Sequence, residues 1–293
     1  MKIARYQNKG KECYGVMQNE RLLCLGALAK RLKTDLPSKI EAFIVDQTAQ
    51  KTAEELLTKA ESSDLDAVSI PVNEARLLAP IASPPKILCL GLNFATHVNE
   101  TREKRPEEPV IFMKPRTAIA GPNDKIIKRP FVKELDYEGE LAVVIGKKAK
   151  DISVSEAMDC VFGYTVLNDV SARDFQFRGS QWTPGKSFDT FAPTGPCITM
   201  SNQLPDPGNL GIKTWVNGEL RQNGNTHDMI FSIAQIIHHL SRVMTLEPCD
   251  IIATGTPSGV AMAMKPPKWL NAGDVVRIEI EGIGTLENTV EEM

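Results

Sequence analysis

Glu138 and Glu140 stand two residues apart in LDYEGELAVVIG, and Asp169 follows in FGYTVLNDVSARD. Leu141 to Ile145 is an apolar run closed by Gly146, and it reads as a strand. Side chains at i and i+2 of a strand share a face, so Glu138 and Glu140 project side by side. Two carboxylates that close repel, unless a cation lies between them or one keeps its proton. A third carboxylate at the end of a second apolar strand completes an all-oxygen set, which favours magnesium, manganese or calcium over zinc. The E-x-E spacing alone equally describes the wet face of an edge strand. The residues around it shift the balance.

LNFATHVNE places His97 three residues before Glu100. On a helical turn these side chains are neighbours. A histidine held by a carboxylate is an oriented general base poised near neutral pH; the plain alternative is a surface helix pair. SARDFQ supplies Arg173 and Gln176, GKSFDTF supplies Lys186, and IIATGTPSGV supplies Thr256 with a bend whose amides are free to hold a carboxylate. Arg and Lys beside three acids either tie loops together as ion pairs or grip an acidic ligand. Two near-motifs do not fit. GSQWTPGKS has five residues between Gly179 and Gly185, where a phosphate loop needs four, and Pro184 removes an amide. GTPSG carries its serine in the fourth place and no histidine follows it, which argues against a serine hydrolase.

These residues need a scaffold. The 293 residues, 42 % apolar and 24 % charged, allow a sizeable core. A net charge of −3 gives no electrostatic reason to expect nucleic acid or an anionic membrane as partner. No apolar run approaches the ~18 residues of a membrane span, and MKIARYQNKGKECYG lacks a signal-peptide core; a cytoplasmic protein is expected. The six cysteines are scattered with no C-x-x-C pair, and four histidines make a multi-histidine metal site unlikely. Residues 1–24 suggest a small antiparallel unit turning near Gln18-Asn19-Glu20, and 39–61 have helical spacing. Pro80, Pro84 and Pro85 mark an extended stretch. The expected division is a small N-terminal domain over 1–75 and a larger strand-rich domain over 76–293. Asn217-Gly218 signals a hairpin, and DVVRIEIEGIGTLENTV an antiparallel pair. The spacing from Met229 to Val243 predicts a helix capped by Asp228, with His238 and His239 at the negative end of its dipole. Many strands without regular βαβα alternation predict an α+β, mainly β, fold.

Seven segments in order, GLNFATH, VIFMKP, LDYEGELAVVIG, FGYTVLNDVSARD, GKSFDTF, DMIFSI and DIIATGTPSGV, resemble the fumarylacetoacetate hydrolase superfamily over roughly residues 80–290. The resemblance implies a rolled β-sheet domain, a homodimer and a magnesium or manganese ion. It places Glu138, Glu140 and Asp169 on the metal, makes His97 and Glu100 the catalytic pair and Lys186 a catalytic cation, and gives Arg173, Gln176 and Thr256 to the substrate. One departure is visible: the residue before Ala95 is Phe94, where many members carry tyrosine.

The implied substrates are small dicarboxylates or 2-oxo and 1,3-dioxo acids. The leading expectation is metal-dependent C–C cleavage of an acylpyruvate or fumarylpyruvate through an enolate. The alternatives are an oxaloacetate decarboxylase, a 2-hydroxyhepta-2,4-diene-1,7-dioate isomerase/5-oxopent-3-ene-1,2,5-tricarboxylate decarboxylase, and a silent metal- or ligand-binding scaffold. The charged segment HVNETREKRPEEP, 97–109, reads as a solvated loop or as a lid over the site.

Overall fold

The computed structural model describes residues 1–293. The strand Gly139–Ile145 lies at its centre and is buried along its whole length. It pairs antiparallel with Val161–Asn168 on one side and with Ile251–Ala253 on the other. Leu141, Val143 and Ile145 face one apolar core, shared with Ile212, Val276 and Ile278 of a second, five-stranded sheet. Ala142 and Val144 face another core, closed by Phe43 and Ile44 of the N-terminal helices. Cover on both faces explains why the sequence is continuously apolar there rather than alternating. By the same parity Glu138 and Glu140 fall on the face of Ala142 and Val144. Gly139 between them takes the opposite face, where a β-carbon would meet Thr214 Oγ1 at 2.4 Å.

The large sheet has 12 strands, and the fold is mixed α+β with sheet dominant. The N-terminal meander, Lys2–Asn8, Lys11–Gln18 and Arg21–Cys24, turns at Gly10 and at Asn19-Glu20 with positive φ. Its first strand pairs with Ala192–Met200 through Lys2↔Thr199, so the N-terminal segment continues the same sheet. Arg76–Leu78 pairs back onto that strand.

Two expectations change in detail. The helical spacing over 39–61 becomes two helices, Ile40–Val45 and Gln47–Lys59, because Asp46 leaves helical geometry to accept the Ala49 N–H at 2.9 Å. The later helix runs Ile233–Val243 and is capped by Ser232, not Asp228. A Ser232/Gln235 capping box sets its start, and Asp228 sits in a preceding 3₁₀ turn. His238 and His239 lie before the last turn, where Arg242 is the basic residue, and His238 Nδ1 lies 2.6 Å from Ile152 O. The Asn217-Gly218 hairpin and the antiparallel pair Val275–Ile280 and Gly284–Glu292 form as the pattern predicts. No helix is long and apolar enough to cross a membrane.

Candidate active site

Carboxylate oxygens of Glu138, Glu140 and Asp169 lie within 4.8 Å of one another, and all three residues are buried. The backbone fixes them. Asp169 N–H donates to Glu138 O at 2.9 Å, and Glu138 N–H donates to Asn168 Oδ1 at 3.1 Å, locking the two strand ends together. Glu140 Oε2 accepts the Gly255 N–H at 2.8 Å, from a glycine at φ +99°.

Three cations enclose the acids. Lys186 Nζ donates to Glu138 Oε2 and to Asp169 Oδ2, each at 2.8 Å. Lys114 donates to Asp169 Oδ1, and to Val170 O at 3.0 Å. Arg173 Nε donates to Asp136 Oδ2 at 3.0 Å and Nη1 to Gln176 Oε1 at 2.9 Å. Its Nη2 lies 2.6 Å from Glu138 Oε1 and 2.9 Å from Asp136 Oδ2 as an ion pair, with no N–H aligned on either oxygen. Arg and Lys therefore do tie the loops together, and they do so around the acidic cluster.

The electrostatics divide the carboxylates. Burial pushes Glu138 up, but the Lys186 ammonium and Arg173 guanidinium outweigh it and hold Glu138 well below the usual carboxylate range. Burial, with Asp169 and Glu138 beside it, raises Glu140 well above its ordinary value. Burial opposes the charge on Lys186, yet Asp169 and Glu138 reverse this and raise it. Burial lowers Lys114 despite Asp169. Burial and its two acidic neighbours thus favour the protonated form of Glu140, and a cation among the three would offset this. Three buried oxygen donors fit a hard divalent ion. By formal charge, four carboxylates (Asp136 included) against three cations leave one net negative charge, which a divalent ion would turn to one net positive, a setting suited to an acidic ligand.

His97 and Glu100 share the short helix Ala95–Thr101. His97 Nδ1–H donates to Glu100 Oε1 at 2.8 Å, and the Gly259 N–H donates to both carboxylate oxygens of Glu100, at 3.1 and 2.9 Å. In the neutral imidazole held this way, Nε2 is the accepting nitrogen. The bend at 255–259 thus differs from expectation: the Gly255 and Gly259 amides hold the protein's own carboxylates, not a ligand's. Thr256 Oγ1 donates to Gly139 O at 3.0 Å and accepts from Gln222 Nε2 at 2.8 Å.

One cleft of about 50 Å³ gathers His97, Glu138, Glu140, Arg173, Gln176, Lys186 and Thr256 in its lining. Glu100 stands behind His97, and Asp169 behind the lysines. A far larger groove, about 1390 Å³, runs between the N-terminal strands and Ile283–Thr285; it holds no comparable cluster of acids and bases. Sequence reasoning did not select Lys114, Asp136 or Gln222. Lys114 sits in VIFMKP, where a lysine inside an apolar strand is itself a signal of a buried partner. Asp136 accepts from Arg173 and from the Ala261 and Met262 amides, contacts across 37, 125 and 126 residues that no local pattern reveals.

A family model described as fumarylacetoacetate (FAA) hydrolase C-terminal matches residues 86–291. The chain belongs to this family. A second model, described as Rv2993c-like, N-terminal, matches residues 1–80. Among curated proteins, the chain is 45 % identical over 258 residues to a mitochondrial oxaloacetate tautomerase of Xenopus laevis, covering 87 % of this chain and 79 % of that one. Among solved structures, it is similar to the fumarylacetoacetate hydrolase of Exiguobacterium antarcticum, with TM-score 0.83, 37 % identity and full coverage of both chains. It is also similar to maleylpyruvate hydrolase from Sphingobium sp. SYK-6 in complex with manganese (II) ion and pyruvate, with TM-score 0.79, 31 % identity and 100 % and 99 % coverage. The chain is an enzyme of the fumarylacetoacetate hydrolase family, and its buried acidic triad is suited to a divalent metal.

Proposed function

We propose that this chain is a magnesium- or manganese-dependent oxaloacetate tautomerase, interconverting the enol and keto forms of a short 2-oxo acid. The observation that carries the reading is one small cleft lined by His97, Glu138, Glu140 and Lys186, with Glu100 bonded behind His97 and Asp169 bonded to Lys186. Glu138, Glu140 and Asp169 would hold the ion, which supplies a Lewis acid and a template for the carboxylate and 2-oxo oxygens. His97 Nε2 takes a proton from C3 of the bound acid and the C2 oxygen takes one up from the imidazolium or from water, which gives the enol; ketonisation reverses both transfers, and Glu100 fixes the tautomer and steadies the imidazolium. Lys186 meets the negative charge that develops on the C2 oxygen. Arg173 and Gln176 orient the acid, and Thr256 shapes the wall. The tautomerase activity of the Xenopus relative supports this choice of reaction.

Hydrolytic C–C cleavage of an acylpyruvate is a second reading. It is favoured by the apolar part of the lining, Phe112, Phe177, Trp182 and Met262, for which oxaloacetate has no evident use. There His97 would take its proton from water. The rest of the proposal is a homodimer, a cytoplasmic location consistent with six free cysteines, and a boundary near residue 75 between an N-terminal unit and the catalytic domain.

The test is a panel of oxaloacetate, acetylpyruvate and fumarylpyruvate with magnesium, manganese or EDTA. Loss of enol absorbance without pyruvate supports tautomerisation. Pyruvate with carbon dioxide indicates decarboxylation, and pyruvate with a second acid indicates hydrolysis; either outcome, without accelerated enol–keto exchange, rejects the tautomerase.

A further inference from the structure

From Phe177 to Pro184 the chain crosses the surface, and every residue there is exposed except Trp182. Phe177 and Trp182 of this segment both line the cleft, and of the two only Trp182 is withdrawn from solvent. Its ring meets Phe112 edge-on, with centroids 5.7 Å apart and planes at 73°. It also rests against Gly91, the last residue of the strand Ile87–Gly91. A β-carbon on Gly91 would lie 2.1 Å from the indole, so only glycine admits this contact. The exposed segment joins Gln176 to Lys186, and the Ile87–Gly91 strand leads into the helix of His97. Trp182 thus packs the exposed segment before Lys186 against the strand that leads to His97.

The cleft is divided in character. Glu138, Glu140, Arg173, Gln176 and Lys186 lead its polar lining, whereas Phe112 and Met262 offer nothing to a carboxylate and Trp182 offers only its indole N–H beside a large apolar ring. At about 50 Å³ the free space is small, and each group added to the acid beyond what the polar lining holds presses on the wall. Phe177 is more than half exposed and Phe112 belongs to the strand Val110–Lys114, so the indole on an otherwise exposed loop is the wall element that decides the space.

We propose that Trp182, seated on Gly91, is the specificity-determining residue that restricts this site to short 2-oxo acids. The proposal rests on the reading that the site takes a 2-oxo acid. It is tested by binding rather than turnover, so that the two fail separately. The manganese-loaded protein is titrated calorimetrically with oxalate, oxamate and N-cyclohexyloxamate, as wild type, Trp182→Ala, Trp182→Phe and Gly91→Ala. A single methylene more or less in an apolar pocket is worth ~10–200-fold in discrimination. Trp182→Ala should keep oxalate affinity within about threefold and gain at least about 10-fold for N-cyclohexyloxamate. Trp182→Phe should fall between, and Gly91→Ala, which drives the indole into the cleft, should weaken the bulkiest ligand most. Thermal melts identify any variant that does not fold, and Trp182→Phe then carries the comparison. An unchanged ratio of the two affinities in folded Trp182 variants overturns the proposal, as does a wild type that binds none of the series. A wild type that shows the expected pattern yet turns over no 2-oxo acid upholds the wall and rejects the tautomerase.

Discussion

Replacing Glu100 by Gln is the perturbation whose effect follows most directly from the geometry. The carboxylate accepts from His97 Nδ1 at 2.8 Å and from the Gly259 amide with both oxygens. Its side chain is 20 % exposed and that of His97 10 %, so water screens the contact only in part. A glutamine oxygen in the Oε1 place can still meet both His97 Nδ1 and Gly259, but it carries no charge, and its NH₂ in the Oε2 place faces the Gly259 N–H, which cannot accept. The charge-assisted character of the contact is lost, worth about 1.5–3 kcal/mol. At 1.36 kcal/mol per factor of ten this becomes roughly 10–150-fold in kcat/KM. His97→Ala, which removes the base itself, should cost ~10²–10⁴-fold. The assay follows enol absorbance of oxaloacetate with saturating magnesium, beside calorimetric titration of manganese into each variant. Turnover should fall while manganese affinity stays within about threefold, because the pair lies outside the triad. Full activity in Glu100→Gln, or equal losses of metal affinity and turnover, would show that the pair does not act as an oriented base.

Further expectations concern the cluster and its supports. Glu140→Gln should weaken manganese binding by more than the ~10–100-fold that outer partners typically cost, as read by calorimetry. Metal affinity should climb with pH: Glu140 is raised by burial and by its acidic neighbours, so at lower pH the ion must displace its proton, and at higher pH it need not. Titration in buffers of different ionisation enthalpy should reveal proton release that diminishes as pH increases; pH-independent affinity with no proton release would contradict it. Lys114→Met leaves Asp169 without one of its two buried cations and should destabilise the metal-free fold by about 3–5 kcal/mol in denaturant unfolding. Ser232→Ala should cost about 1 kcal/mol through loss of the capping box, with no change in turnover.

What the sequence made legible, and what it hid, has a physical pattern. Glu138 and Glu140 were readable because strand parity is local, and His97 with Glu100 because a helical turn is local. The amides of Gly255 and Gly259 were recognisable as carboxylate binders, but nothing local could say that Glu140 and Glu100 already fill them. Lys114 and Asp136 escaped notice for the same reason, since each meets its partner only when distant strands are in register. The helix over 233–243 kept its apolar periodicity but not its start, because Asp228 and Ser232 are both competent caps and only the Ser232/Gln235 box chooses between them. Trp182 sat in a segment weighed only as a failed phosphate loop, and its packing on Gly91 is invisible without the fold.

The most direct test is the enol-to-keto conversion of oxaloacetate, followed by absorbance with metal-stripped protein before and after addition of magnesium or manganese. The expected result is no acceleration over buffer in EDTA, a large acceleration once the ion is restored, and none with Glu138→Gln under the same conditions. Acceleration that persists in EDTA, or in Glu138→Gln at saturating metal, would contradict the assignment of the triad as the metal site of this enzyme.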